Sequence, residues 1–97
     1  MSHGVMYNVP APIQVYDAVH AEASQHPAEG LLMHLAREVD GGFQVIEVWE
    51  SKEQCDRYSA DVLIPIISRV AGPDAAQGPA PEEFEVHELM VPPATTG

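Results

Sequence analysis

Apolar and polar residues along the chain change period several times, and each change marks an element. His3 to Val9 is rich in β-branched and aromatic residues and stops at Pro10, which cannot donate to a strand ladder, so it predicts strand one. Pro12 suits a first helical turn, and Ile13, Tyr16, Val19, His20 and Ala23 then fall on one side of a helix that ends near His26-Pro27. Glu29 to Val39 and Phe43 to Glu50 are apolar runs of strand length around Asp40-Gly41-Gly42, whose glycines allow the positive φ of a tight hairpin. Ser51 and Gln54 have capping-box spacing, and Cys55, Ser59, Val62, Ile66 and Val70 mark the buried stripe of a second helix. Pro65 inside that helix removes a hydrogen bond and collides with the Asp61 carbonyl, which predicts a kink or break. Residues 72–81 read as a loop because of their glycines and prolines, and Phe84 to Val91 as strand four. Pro92-Pro93 ends that strand, and residues 92–97 form a tail expected to be mobile.

The order β-α-β-β-α-β predicts an α+β, ferredoxin-like fold: a four-stranded antiparallel sheet with two helices on one face, as a single domain over residues 1–97. Strand two carries Leu31, Met33 and Leu35 on one parity and Leu32, His34 and Ala36 on the other, so both of its faces are largely apolar. Two helices cover one face only. For a chain of 97 residues the simplest cover for the other is a second copy, which predicts an obligate homodimer.

Composition narrows the partners. Four Lys+Arg against fifteen Asp+Glu give a net charge of -11, which repels phosphate backbones and anionic lipid and argues against nucleic acid and membrane surfaces. No glycine-rich phosphate loop is present, so the expected ligand is a small apolar or aromatic molecule. The absence of a leader pattern or a long apolar run leads to the expectation of a cytoplasmic protein. One cysteine, Cys55, makes neither an internal disulfide nor a thiolate metal site, and no histidines lie four apart on a helix, so neither metal nor cofactor is expected.

Parity locates the candidate chemistry. With a two-residue hairpin loop, either Asp40-Gly41 or Gly41-Gly42, His34, Glu47 and Trp49 share one sheet face, and His34 lies opposite Glu47 or Trp49 respectively. A carboxylate beside an imidazole makes an oriented general base, so His34 and Glu47 are the candidate catalytic pair. The plainer reading is that they satisfy each other in a buried setting. Trp49 reads as a core anchor or as a flat wall for a ligand. Tyr16 and Tyr58, one on each helix, have hydroxyls that could reach a pocket. Tyr7 and Asn8 have opposite parity, so one faces the helices and the other does not.

The run Val45-Ile46-Glu47-Val48-Trp49-Glu50-Ser51-Lys52-Glu53, a strand ending in Trp-x-Ser that enters a helix directly, resembles the antibiotic-biosynthesis-monooxygenase type of dimeric α+β barrel. The resemblance spans roughly Val5 to Val91. It implies a dimeric barrel and a cofactor-independent monooxygenase acting on an aromatic or polyketide-like substrate, with Asn8, Trp49 and Tyr58 as substrate-binding groups. An isomerase or cyclase on the same scaffold, or a non-catalytic binding or interaction module, fits the same residues. The haem-degrading branch has a tryptophan and a histidine where this chain has Tyr58 and Ser68, so the iron ligand that reaction needs is missing.

Overall fold

The computed structural model describes residues 2–76 and 80–90. Four strands, β1 (Ser2–Val9), β2 (Leu31–Val39), β3 (Gly42–Trp49) and β4 (Glu82–Val86), form one antiparallel sheet in the order β2-β3-β1-β4. Helix α1 (Ile13–Ala23) joins β1 to β2. Between β3 and β4 the chain forms α2 (Lys52–Tyr58), a π-helical turn (Ser59–Leu63), α3 (Ile64–Ala71) and the single turn α4 (Pro73–Ala76). This is an α+β arrangement compatible with the ferredoxin-like fold.

Alternation along β3 sets the inner face. Phe43, Val45, Glu47 and Trp49 are all buried, and the ladder places Val5 opposite Glu47 and Tyr7 opposite Val45 on β1. Trp49 has 0% exposure and packs with Val5 and Cys55, while Tyr7, Leu31 and Tyr58 close around them. The outer face carries Met6, Met33, Leu35, Ile46 and Phe84. Phe84 lies across Gly4, where an added Cβ would come within 2.1 Å of the ring, so a side chain there would have to displace Phe84.

The hairpin uses Asp40-Gly41 as its two-residue loop, with Val39 paired to Gly42 and His34 opposite Glu47. Gly41 alone takes positive φ there, at 83°. A bulge between Leu31 and Met33 shifts the register at the start of β2. Ser51 caps α2 by accepting from the Gln54 amide at 3.2 Å. The Gln54 side chain turns to the Ser51 hydroxyl, accepting from it at 3.0 Å.

Pro65 interrupts the α-helix within a turn of Asp61, as expected, in the form of a π-turn. With no N–H at Pro65 the Asp61 carbonyl loses its α-helical partner, and the chain widens just before the proline, the Ile64 N–H bonding to the Ser59 carbonyl five residues back. Two expectations are corrected. The loop assigned to residues 72–81 contains α4, and β4 starts at Glu82, not Phe84, and ends at Val86, because charged residues suit an edge strand. Val91, the end expected for strand four, and the tail 92–97 lie outside the described residues. Among the described residues no helix is long and apolar enough to cross a membrane.

Candidate functional site

The strand pairing brings His34 on β2 against Glu47 on β3, and their side chains meet: His34 Nδ1 lies 2.7 Å from Glu47 Oε2. Glu47 is buried, at 4% exposure, and its other oxygen accepts the Trp49 indole N–H at 3.2 Å. A carboxylate only accepts, so His34 carries its proton on Nδ1 and leaves Nε2 as a lone-pair acceptor. That nitrogen is 2.7 Å from the Tyr16 hydroxyl, which donates to it from α1. Tyr16, His34 and Glu47 thus form one hydrogen-bonded line in which a carboxylate orients an imidazole and the imidazole faces a hydroxyl.

Aromatic packing fixes that line. The Tyr16 ring stacks on His34 at 5.9 Å and on His20 at 5.3 Å, and meets Phe43 edge-on at 5.7 Å. His20, one helical turn after Tyr16, has its Nδ1 3.4 Å from the Tyr16 oxygen. Burial raises the Tyr16 phenol above its ordinary value, and the charges of Glu47 and Asp17 push it the same way, so Tyr16 stays a neutral hydroxyl near neutral pH.

Tyr16 also belongs to the wall of an open cavity of about 410 Å³ between the sheet, α1 and the α2–α3 segment. That volume suits a small organic ligand. Its lining is chiefly aliphatic, with Val5, Val45, Val15, Leu63 and Ile67 among the contributors, and its polar side-chain groups include Tyr7, Tyr16, Cys55 and Ser59. Asp56 and Glu83 are its acidic residues. Lys52 Nζ is 2.8 Å from Asp56 and 3.6 Å from Glu83, and His3 Nε2 is 2.8 Å from Glu83. Among the described residues no lysine, arginine or histidine lines this cavity.

The structure therefore separates residues that the sequence grouped together. His34 and Glu47 are joined, but neither lines the cavity, and His34 reaches it only through Tyr16. Trp49 is a core residue outside the wall, tilted against Tyr58 at 5.3 Å between ring centres. Tyr58 lines a separate hollow of about 130 Å³ beside Arg57 and Asp61. Asn8 borders the main cavity, yet its Oδ1 accepts from Gln44 on the outer face at 3.1 Å. Tyr16 and Tyr7 carry the wall chemistry instead. The sequence signals for them were the four-residue spacing of Tyr16 and His20 and the shared parity of Tyr7 with Val5 and Val9. Among the described residues no group of three or more His, Cys, Asp or Glu converges to hold a metal ion.

Cys55 sits in the same wall as an unreactive thiol. Burial, reinforced by Glu47 and Asp56, pushes it up from 9.0 to about 11, and burial likewise lifts Tyr7 well above the usual tyrosine range. Both groups are acids whose folded-state values lie above their unfolded ones, so the unfolded chain loses their protons first. Their contribution to stability is complete below about pH 9 and is lost as pH rises through 11. Thermal unfolding is expected to hold steady from neutral pH to about pH 9 and fall steeply beyond it; a flat profile to pH 11 would show that neither group is held neutral by the fold.

The chain matches no protein-family model and no curated protein, so the function of the site rests on the chemistry of its own groups.

Proposed function

We propose that this protein binds a small neutral aromatic molecule in the cavity between sheet and helices and takes a proton from it, the opening step of a cofactor-independent monooxygenase acting on an aromatic or polyketide-like substrate. One observation carries the reading: Tyr16, a residue of the cavity wall, has its hydroxyl 2.7 Å from an imidazole that a buried carboxylate holds at 2.7 Å on its other side. A substrate hydroxyl passes its proton to the Tyr16 oxygen as Tyr16 passes its own to His34 Nε2. Glu47 then faces the imidazolium and balances its charge. In oxygenation, dioxygen is the co-reactant: a ring CH₂ of the deprotonated substrate becomes a carbonyl, and its two hydrogens leave with the second oxygen atom as water. An isomerase or cyclase uses the same first step and needs no oxygen.

The wall chemistry favours an uncharged ligand. Asp56 and Glu83 carry two negative charges against the single Lys52 ammonium between them, and that excess disfavours anions. Calorimetric titration is expected to show para-hydroxybenzophenone binding and the anion para-benzylbenzoate binding at least about tenfold more weakly. Equal affinities, or no binding of the neutral compound, would count against the pocket reading.

The same reading makes the protein a homodimer, a dimeric α+β barrel with the outer sheet faces together. Its support is the outer face itself, where Leu35 is 48% exposed and Phe84 43% exposed beside Met6, Met33 and Ile46. Sedimentation at micromolar concentration is expected to give a dimer that Leu35→Glu dissociates. A monomeric wild type would remove this part of the proposal.

A further inference from the structure

The cavity wall holds a second polar point that the proton relay leaves unused. Tyr7 rises from β1 on the inner face, opposite Val45, and shares the cavity wall with Ser59 from the π-helical turn and Cys55 from α2. The wall is chiefly aliphatic. A partly buried hydroxyl there needs a good acceptor for its proton. The thiol of Cys55 is a weak acceptor, so a ligand carbonyl in the cavity is the better partner for the Tyr7 O–H.

The π-turn gives this point a sequence origin. Pro65 cannot supply an N–H, the helix widens over Ser59–Leu63, and Ser59 stands at the start of the widened turn in the cavity wall. The position of Tyr7 relative to the relay is also set. Tyr16 has its hydroxyl at His34 on β2, and Tyr7 stands on β1. These strands lie on either side of β3, two interstrand spacings or roughly 10 Å apart.

We infer that Tyr7 is a ligand-anchoring and specificity-determining residue, a neutral donor to a carbonyl oxygen of the ligand, while the ligand's ionisable hydroxyl lies at Tyr16. The inference rests on the pocket reading above and adds the class of ligand: a neutral molecule with a hydroxyl and a carbonyl at opposite ends of a conjugated ring system. In such a molecule the proton leaves at the Tyr16 end, and the charge it releases collects on the carbonyl oxygen at the Tyr7 end. The Tyr7 hydrogen bond therefore strengthens as the proton moves, which makes it worth more to the ionised ligand than to the neutral one. Burial keeps Tyr7 protonated for this role throughout the neutral range.

The test compares para-hydroxybenzophenone with para-benzylphenol, which differs only in having CH₂ where the ketone has its carbonyl. In the wild-type protein the ketone is expected to bind about five- to tenfold tighter by calorimetry. Tyr7→Phe is expected to remove that preference while leaving para-benzylphenol within about twofold of its wild-type affinity, which also reports that the cavity is intact. Equal binding of the two compounds by the wild type, or a preference that survives Tyr7→Phe, overturns the anchor while leaving the pocket. Failure of both compounds to bind overturns the pocket and the anchor together. A measurement without substitution guards against a variant that does not fold: the carbonyl stretch of isotopically labelled ketone bound to the wild type is expected at lower frequency than in hydrocarbon solvent. An unshifted band rules out the hydrogen bond and with it the assignment of Tyr7.

Discussion

Trp49→Ala is expected to cost about 3–5 kcal/mol of stability, the largest loss for any single truncation in the core. The indole has 0% exposure, and its neighbours Val5, Cys55, Leu31 and Tyr58 come from three different elements, β1, α2 and β2. Those elements are anchored in the sheet and in α2, so they do not collapse into the space an alanine leaves. The variant also removes the donor to Glu47 Oε1, leaving a buried carboxylate oxygen unserved. A domain of this size has a total stability on the order of 5–15 kcal/mol, so the variant stands close to unfolding at ambient temperature. Trp49 is the only tryptophan, so urea unfolding should be followed by far-ultraviolet circular dichroism, with the slope checked against wild type. Trp49→Phe is expected to recover most of the packing and isolate the hydrogen bond, at about 1–2 kcal/mol. A loss below about 1 kcal/mol for the alanine variant would deny Trp49 its place at the centre of the core.

That a tryptophan in a strand should be a core anchor was one of two readings open from the sequence, and the 0% exposure of Trp49 supports it. The hairpin was legible up to a choice between two loops, Asp40-Gly41 and Gly41-Gly42. Once Asp40-Gly41 is the loop, the two-residue period of both strands puts His34 against Glu47, and the pairing follows from counting alone. The Tyr16 contact was not legible in this way. Tyr16 and His34 are separated by 18 positions and stand on different elements, and the rung over which a helical side chain lies depends on how the helix docks. Parity has nothing to say about docking. Pro65 shows a similar limit. Its missing N–H requires a disturbance near Asp61, but a break, a bend and a π-turn all relieve it, and tertiary packing selects the one that keeps α3 on α1. Glu82 and Glu83 fall outside the strand expected from Phe84 because their charge hides the alternation of an edge strand, yet Glu83 pairs with Val5 and lines the cavity.

Tyr16→Phe and His34→Ala are expected to abolish proton uptake from a phenolic ligand to the same extent, although only Tyr16 touches the cavity. In the wild type, para-hydroxybenzophenone bound at neutral pH should show the absorption band of its phenolate, because the relay removes its proton and holds it on His34. Tyr16 cannot do this alone. Burial and the charges of Glu47 and Asp17 raise its phenol, so it neither keeps a second proton nor gives up its own without an acceptor behind it. Removing the hydroxyl disconnects the ligand from His34, and removing the imidazole leaves the hydroxyl with no acceptor at 2.7 Å. For a substrate that the protein turns over, either change is expected to lower the rate by about 10²–10⁴-fold. The double variant should lose no more than the worse single one, since both remove one pathway. The two variants differ in stability. His34→Ala strips Glu47 of one of its two donors and is expected to cost about 1–3 kcal/mol, whereas Tyr16→Phe keeps the ring on Phe43 and His20 and costs less. Melting curves recorded beside the absorption spectra separate structure from chemistry. A His34→Ala protein that melts early and still binds the phenolate would reduce His34 to a partner of Glu47 and end the relay.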